Sequence, residues 1–173
     1  MEKVEIHEKA GYLRDMVFSA NDGLITTFAI VAGSTGASLS PNVVVILGLV
    51  NLLADGISMA SGSYLGVKSE IEYEDAEGDH AHDGDSPLKH GFMTFATFIF
   101  AGFLPLIPFV FNIEPKFLIS VIIVAISLFV VGASRSKITQ KSFIRSGTEV
   151  FIIGGLAATV AYLVGFLADR YLL

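Results

Sequence analysis

A chain of 173 residues that is 53% hydrophobic and 16% charged does not read as a water-soluble domain, which would carry about 25% charge. Its mean hydropathy is +0.67. The lack of cysteine excludes disulfides, thiolate zinc sites and iron–sulfur clusters, and a net charge of −6 argues against nucleic acid as a partner.

Residues 1–15, MEKVEIHEKAGYLRD, are polar, with no apolar stretch ahead of a small-residue cleavage site, so no secretory signal peptide is expected. They predict an interfacial amphipathic helix, with Val4, Ile6, Tyr12 and Leu13 offered to the membrane and Lys and Glu to water. Five apolar blocks follow, at about 17–37, 43–66, 91–111, 117–134 and 148–168. Each is near the ~20 residues a helix needs to cross hydrocarbon. Barrel strands run about 10 residues and alternate in polarity, so helices remain as the way to satisfy backbone groups in lipid. The expected fold is an all-α integral membrane protein: one transmembrane domain over 1–173, five transmembrane helices and an N-terminal interfacial amphipathic helix.

Between the blocks the punctuation is clear. Ser40-Pro41 fits a helix start, Pro105 and Pro108 should kink or break the outer end of the third span, and Asn112 to Lys116 should form a tight turn. Small residues at Gly62/Gly66, Gly154/Ala158 and Ala157/Ala161/Gly165 have the spacing that lets helices approach closely in lipid. With the N-terminus cytosolic, Lys3, Lys9, Arg14, Lys68, Lys89, Arg135, Lys137, Lys141 and Arg145 are all cytosolic, leaving only Lys116 and Arg170 opposite. That bias predicts a cytosolic N-terminus and a C-terminus on the other side.

Two carboxylates interrupt the apolar blocks. Asp22 lies near the start of the first and Asp55 in the middle of the second. A charge at membrane depth is costly without a partner, which makes each a candidate for an ion or proton path. Asn51, Asp55, Met59 and Ser63 recur every four residues, on one face of a helix, as a column about 18 Å long. On the first span Asp22 and Thr26 share a face, with Ser19 and Asn21 beside them. A thioether among oxygens suits divalent iron, manganese, cobalt or zinc better than magnesium or calcium. Neighbouring carboxylates hold protons when no cation is present. One site taking metal or protons, but not both, is the least that metal/proton antiport requires. The plainer alternatives are that Met59 fills space, that each aspartate bonds a neighbouring helix, and that Asn21-Asp22-Gly23 is turn chemistry at a helix start.

Residues 68–89, KSEIEYEDAEGDHAHDGDSPLK, form an acidic segment on the predicted cytosolic side. Glu70, Glu74 and Glu77 would share a face if the second span continued as a helix. The segment reads either as a solvated charged loop or as a funnel that concentrates cations. His80 and His82 are weak metal donors. Asp79–Gly84 is no calcium loop, because Ala81 occupies a ligand position and His90 stands where a bidentate Glu belongs.

The segments RDMVFSANDGLITTFAIVAG, LADGISMASGSYL, SPLKHGFMTFATFIFAGFLPLIPF and RSGTEVFIIGGLAATVAYLVGFL resemble, in order, the vacuolar iron transporter family, over residues 14 to about 168. That family includes the yeast vacuolar iron/manganese carriers and the plant nodulin-like members. The resemblance implies a homodimer with the ion path along the subunit interface, and export of Fe2+, often Mn2+, from the cytosol against protons. It sets Asp22 on the family's pore aspartate, Met59 on its pore methionine, Asp15 on an acidic residue near the cytosolic mouth and Asp55 on a further acidic position. The chain departs from the family at Gly11 and Asn51, where some relatives have glutamates, and at Ser63, where others have Glu before the Tyr. Longer members insert a helical metal-binding domain where this chain has its acidic segment.

The candidate metal residues are therefore Asp15, Asp22, Asn51, Asp55, Met59, Glu70, Glu74 and Glu77. The expected activity is proton-coupled export of ferrous iron, with manganese second and no tightly bound cofactor. A passive cation or proton channel and a metal-sensing scaffold are the alternatives. The membrane would be the plasma membrane in a prokaryote, or a vacuolar or other endomembrane in a eukaryote. No nucleophile–base pair or phosphate-binding loop suggests an enzyme.

Overall fold

The computed structural model describes residues 2–78, 86–134, 136 and 142–171, with backbone only for residues 2–8. His80 and His82, with the acidic residues beside them, and Arg135, Lys137 and Lys141 of the basic connector lie outside the described residues.

The described residues are helical, with no strand among them. Helix α1 spans Glu2–Gly36, α2 Pro41–Glu77, α3 Pro87–Phe103, α4 Ile107–Val110, α5 Lys116–Ser134 and α6 Phe143–Tyr171. A 3-10 turn, Leu104–Leu106, joins α3 to α4. Five helical stretches among these residues are long and apolar enough to cross a membrane: Lys9–Gly36, Pro41–Glu77, Pro87–Val110, Lys116–Ser134 and Phe143–Tyr171.

The prolines act as their chemistry requires. Pro41 opens α2 and Pro87 opens α3, where the missing N–H has no helical partner to lose. Pro105 and Pro108 tighten the third span into its 3-10 turn. Pro108 cannot donate to the Pro105 carbonyl, and the Ser120 hydroxyl of α5 donates to it instead, at 2.8 Å.

Two helices overrun the bilayer. At 1.5 Å per residue, α1 and α2, with 35 and 37 residues, are each more than ~50 Å long against a hydrocarbon core of ~30 Å. The expected N-terminal helix is therefore present as the first turns of α1, running unbroken into the first span. Tyr12 does not turn outward to the membrane. It stacks on His90 of α3, with ring centroids 4.2 Å apart. Likewise the acidic segment begins as helix: α2 continues through Glu77 and stops at Gly78, whose φ of 76° is the left-handed cap that glycine favours.

Helix α1 is the central element, packed most heavily on α3 and α6 and more sparsely on α2. It runs parallel to α3 at a constant offset of 75 residues: Asp15 meets His90, Gly23 lies against Phe98, and Thr27 lies against Gly102. Against α6 the approach is closest at glycine. A Cβ on Gly165 would fall 1.9 Å from the Gly33 carbonyl oxygen, and one on Gly36 would fall 2.4 Å from that of Tyr162. The predicted small-residue spacing of α6 thus seats α1 at Gly165 and a Leu128 side chain at Gly154. Gly62 and Gly66 play no such part among the described residues, where nothing beyond the local helix backbone lies within 4 Å of where their Cβ atoms would be. The core joins Leu24, Phe28 and Val31 of α1 to Leu52, Phe98, Leu106, Val124, Leu128 and Val150.

Candidate metal site

The polar residues gather where α1, α2 and α3 meet. Helix α2 runs antiparallel to α1, so climbing α1 from Asp15 to Asp22 means descending α2 from Ser63 to Asp55. At the first level the contact is direct: Ser63 Oγ donates to Asp15 Oδ2 at 3.3 Å. Two turns along, the same antiparallel register brings Asp22 and Asp55 to matching heights on the two helices. Both aspartates are partly buried, as are Asn51 and Met59. Of the predicted column on α2, Ser63 thus reaches α1 directly, while Met59 packs on the core.

Several polar atoms on these helices are buried without a hydrogen-bond partner among the described residues: Asn21 Oδ1, Thr27 Oγ1, Asn51 Nδ2, Thr94 Oγ1 and His90 Nε2. Such atoms are costly in an apolar core. Their concentration on the first three helices marks this part of the bundle as polar inside. Other hydroxyls are already engaged. Thr26 Oγ1 donates to the Asp22 carbonyl at 2.8 Å, and Ser19 Oγ donates to the Asp15 carbonyl at 2.5 Å. Thr26 thus spends its hydrogen on its own helix, as Ser and Thr commonly do. Met59 packs against the hydrophobic core while remaining partly exposed.

Asp15 is the most constrained carboxylate. Its side chain is 10% exposed. Oδ2 receives His90 Nδ1 at 2.5 Å and Ser63 Oγ, and Oδ1 lies 3.3 Å from Arg14 Nε. His90 is the residue that sequence reasoning passed over as a site. The available signal was an ionisable ring in the first turn of an apolar span, three residues after the Pro87 that opens the helix.

The outlying candidates stand apart. Glu70, Glu74 and Glu77 lie on the extension of α2 beyond the apolar block, with Glu70 and Glu77 exposed. Lys68 lies 3.7 Å from Glu72 there. Among the described residues no three His, Cys, Asp or Glu side chains of one chain converge to hold a metal ion. The spacing explains why: Asp15 and Asp22 are seven residues apart on one helix, about 10 Å along its axis.

Residues 13–83 and 77–166 match the VIT family. The chain belongs to that family. VIT-family relatives include a vacuolar iron transporter of Toxoplasma gondii, 28% identical over an alignment covering 90% of this chain and 74% of the relative. Vacuolar iron transporter 1 of Arabidopsis thaliana is 25% identical, covering 91% and 87%. Vacuolar iron transporter homolog 2 of Oryza sativa subsp. japonica is 28% identical, covering 90% of each chain.

Proposed function

We propose that this chain moves divalent metal across a membrane, ferrous iron first and manganese second, exporting it from the cytosol in exchange for protons. The observation that carries this reading is the contact of Ser63 with Asp15 across the α1–α2 seam, in a part of the bundle where Asn21, Thr27 and Asn51 have buried polar atoms without a hydrogen-bond partner among the described residues. Carboxylates from two spans can hold a dication, or protons in its absence, and Met59 adds a soft donor that magnesium does not reward. The names of the related transporters support iron as cargo.

Asp15 serves as the carboxylate at the mouth of the path, and the Glu70–Glu77 extension of α2 draws cations toward that end. The excess of Lys and Arg at the same end supports a cytosolic N-terminus, with the C-terminus opposite. Since one chain supplies few ligands, the path is completed by a second copy, in a homodimer that presents each side chain twice. The membrane is an endomembrane of the vacuolar kind in a eukaryote and the plasma membrane in a prokaryote.

The test is transport by the purified protein in vesicles with an imposed pH gradient. Ferrous iron flux should rise with the gradient and carry protons the other way. Flux that ignores the gradient and follows voltage alone would replace antiport with a passive channel.

A further inference from the structure

We infer that His90 is a positioning residue for metal entry: through Nδ1 it fixes the carboxylate of Asp15 so that one oxygen faces incoming cations. The inference rests on the transport reading above, in which Asp15 stands at the mouth of the path.

Four observations, involving α1, α2 and α3, converge on the ring and on the carboxylate it holds. His90 is 1% exposed, and its Nδ1 lies 2.5 Å from Asp15 Oδ2. Tyr12 lies flat on it, with an interplanar angle of 16°. Gly11 leaves the room it needs, since a Cβ there would come within 3.1 Å of the ring Cε1. Ser63 of α2 donates to the same carboxylate oxygen, so Asp15 is held from α2 as well as α3. Nδ1 must be the donating nitrogen, because an ionised carboxylate only accepts. Nε2 has no hydrogen-bond partner among the described residues, so the imidazole acts through Nδ1 alone.

The two oxygens of Asp15 are consequently unlike. Oδ2 is held by two donors inside the bundle. Oδ1 has Arg14 beside it, and that side chain is 60% exposed and easily displaced into water. A carboxylate held by one oxygen cannot rotate, and it presents the other in one direction. Fixing a ligand in this way raises affinity by removing the cost of ordering it on binding. Three helices are joined at this carboxylate, so Asp15 keeps its place as cations arrive.

The test uses the full chain in vesicles, with initial rates of ferrous iron transport measured against iron concentration. His90→Ala should raise KM by about tenfold or more, the usual scale for such outer partners, with kcat changed less than about twofold. His90→Asn places its amide nitrogen where Nδ1 sits and should bring KM back to within about threefold of wild type. His90→Gln reaches instead for the place of Nε2 and should stay near the alanine value. Asp15→Asn should match His90→Ala, and the double variant should be no worse than either single one.

An unchanged KM in His90→Ala, or equal recovery by Asn and Gln, overturns the inference. If the alanine variant does not fold, the Asn–Gln comparison still decides it. Failure of wild-type transport would count against the transport reading alone. The positioning role is then read from Mn2+ binding isotherms of the same variants. Wild type and Asn should bind alike and about tenfold tighter than Gln, and isotherms that do not separate Asn from Gln overturn it.

Discussion

Helix α1 meets its neighbours in two different ways. Toward α6 the backbones touch: Gly33 faces Gly165, Gly36 faces Tyr162, and no polar side chain intervenes at either point. An aromatic row, Phe28, Phe117 and Tyr162, continues this dry packing onto α5, with ring centroids 6.2 and 5.9 Å apart. Toward α2 the contact is sparser and runs through side chains that carry charge or amide groups. Contact between small residues fixes a helix through dispersion and tolerates no insertion. One face of α1 is therefore packed through its backbone, and the other through polar side chains.

The sharpest way to break this comparison is Asp22→Asn. Transport should fall to the level of empty vesicles while the melting temperature in detergent changes little, because the residue belongs to the working face. Transport that continues unchanged would remove Asp22 from the path. The opposite signature is expected of Gly165→Ala. Its new Cβ meets a backbone carbonyl that cannot swing aside, so the fold should lose about 3 kcal/mol or more, read as a lower melting temperature. The same change at Gly62 or Gly66 should shift stability by less than about 0.5 kcal/mol, since among the described residues nothing beyond the local helix backbone lies within 4 Å of the new Cβ. A melting loss there equal to that of Gly165→Ala would show that the comparison misplaces the tight face.

Met59→Ala lies between these extremes. It should blunt discrimination between ferrous iron and magnesium several-fold in competition assays, at a cost of about 1–2 kcal/mol in stability. Unaltered selectivity would return Met59 to packing alone.

The smallest effect belongs to the turn at the far end. Lys116 donates to Glu114 through its ammonium group and through its backbone N–H, holding that carboxyl below its ordinary 4.5. A lowered native value adds stability above the unfolded one that disappears as pH falls through the native one. On acidification from about pH 5.5 to about pH 3.5, the wild type should lose slightly more melting temperature than Glu114→Gln. Parallel curves would leave the pair without a stabilising part.

What the sequence could convey follows from range. Span length, proline breaks and the four-residue recurrence on α2 are local patterns, and they led to five apolar helices and to a polar column along one of them. The matching heights of Asp22 and Asp55 were within reach, because antiparallel neighbours joined by a short turn run side by side. Of His90 the sequence shows only an ionisable ring at the start of an apolar span. Its importance depends on Asp15, which is 75 residues away, and on the empty space at Gly11, and neither leaves a periodic trace. The extent of α2 into the acidic segment was also open, because helix propensity and charge disagree there, and the cap at Gly78 settles where it ends. Thr26 was placed on the correct face, but its hydroxyl is committed to the Asp22 carbonyl, a choice that only coordinates reveal.

The even offset between α1 and α3 has a mechanical consequence. Gly23 and Gly102 admit the opposite backbone at two heights, and the Asp15–His90 bond fastens the end. A slip of one residue would drive a side chain into each notch and tear that bond. The two helices are thus a single strut, stiff to sliding, and any shift of α2 is a shift against the pair as a whole.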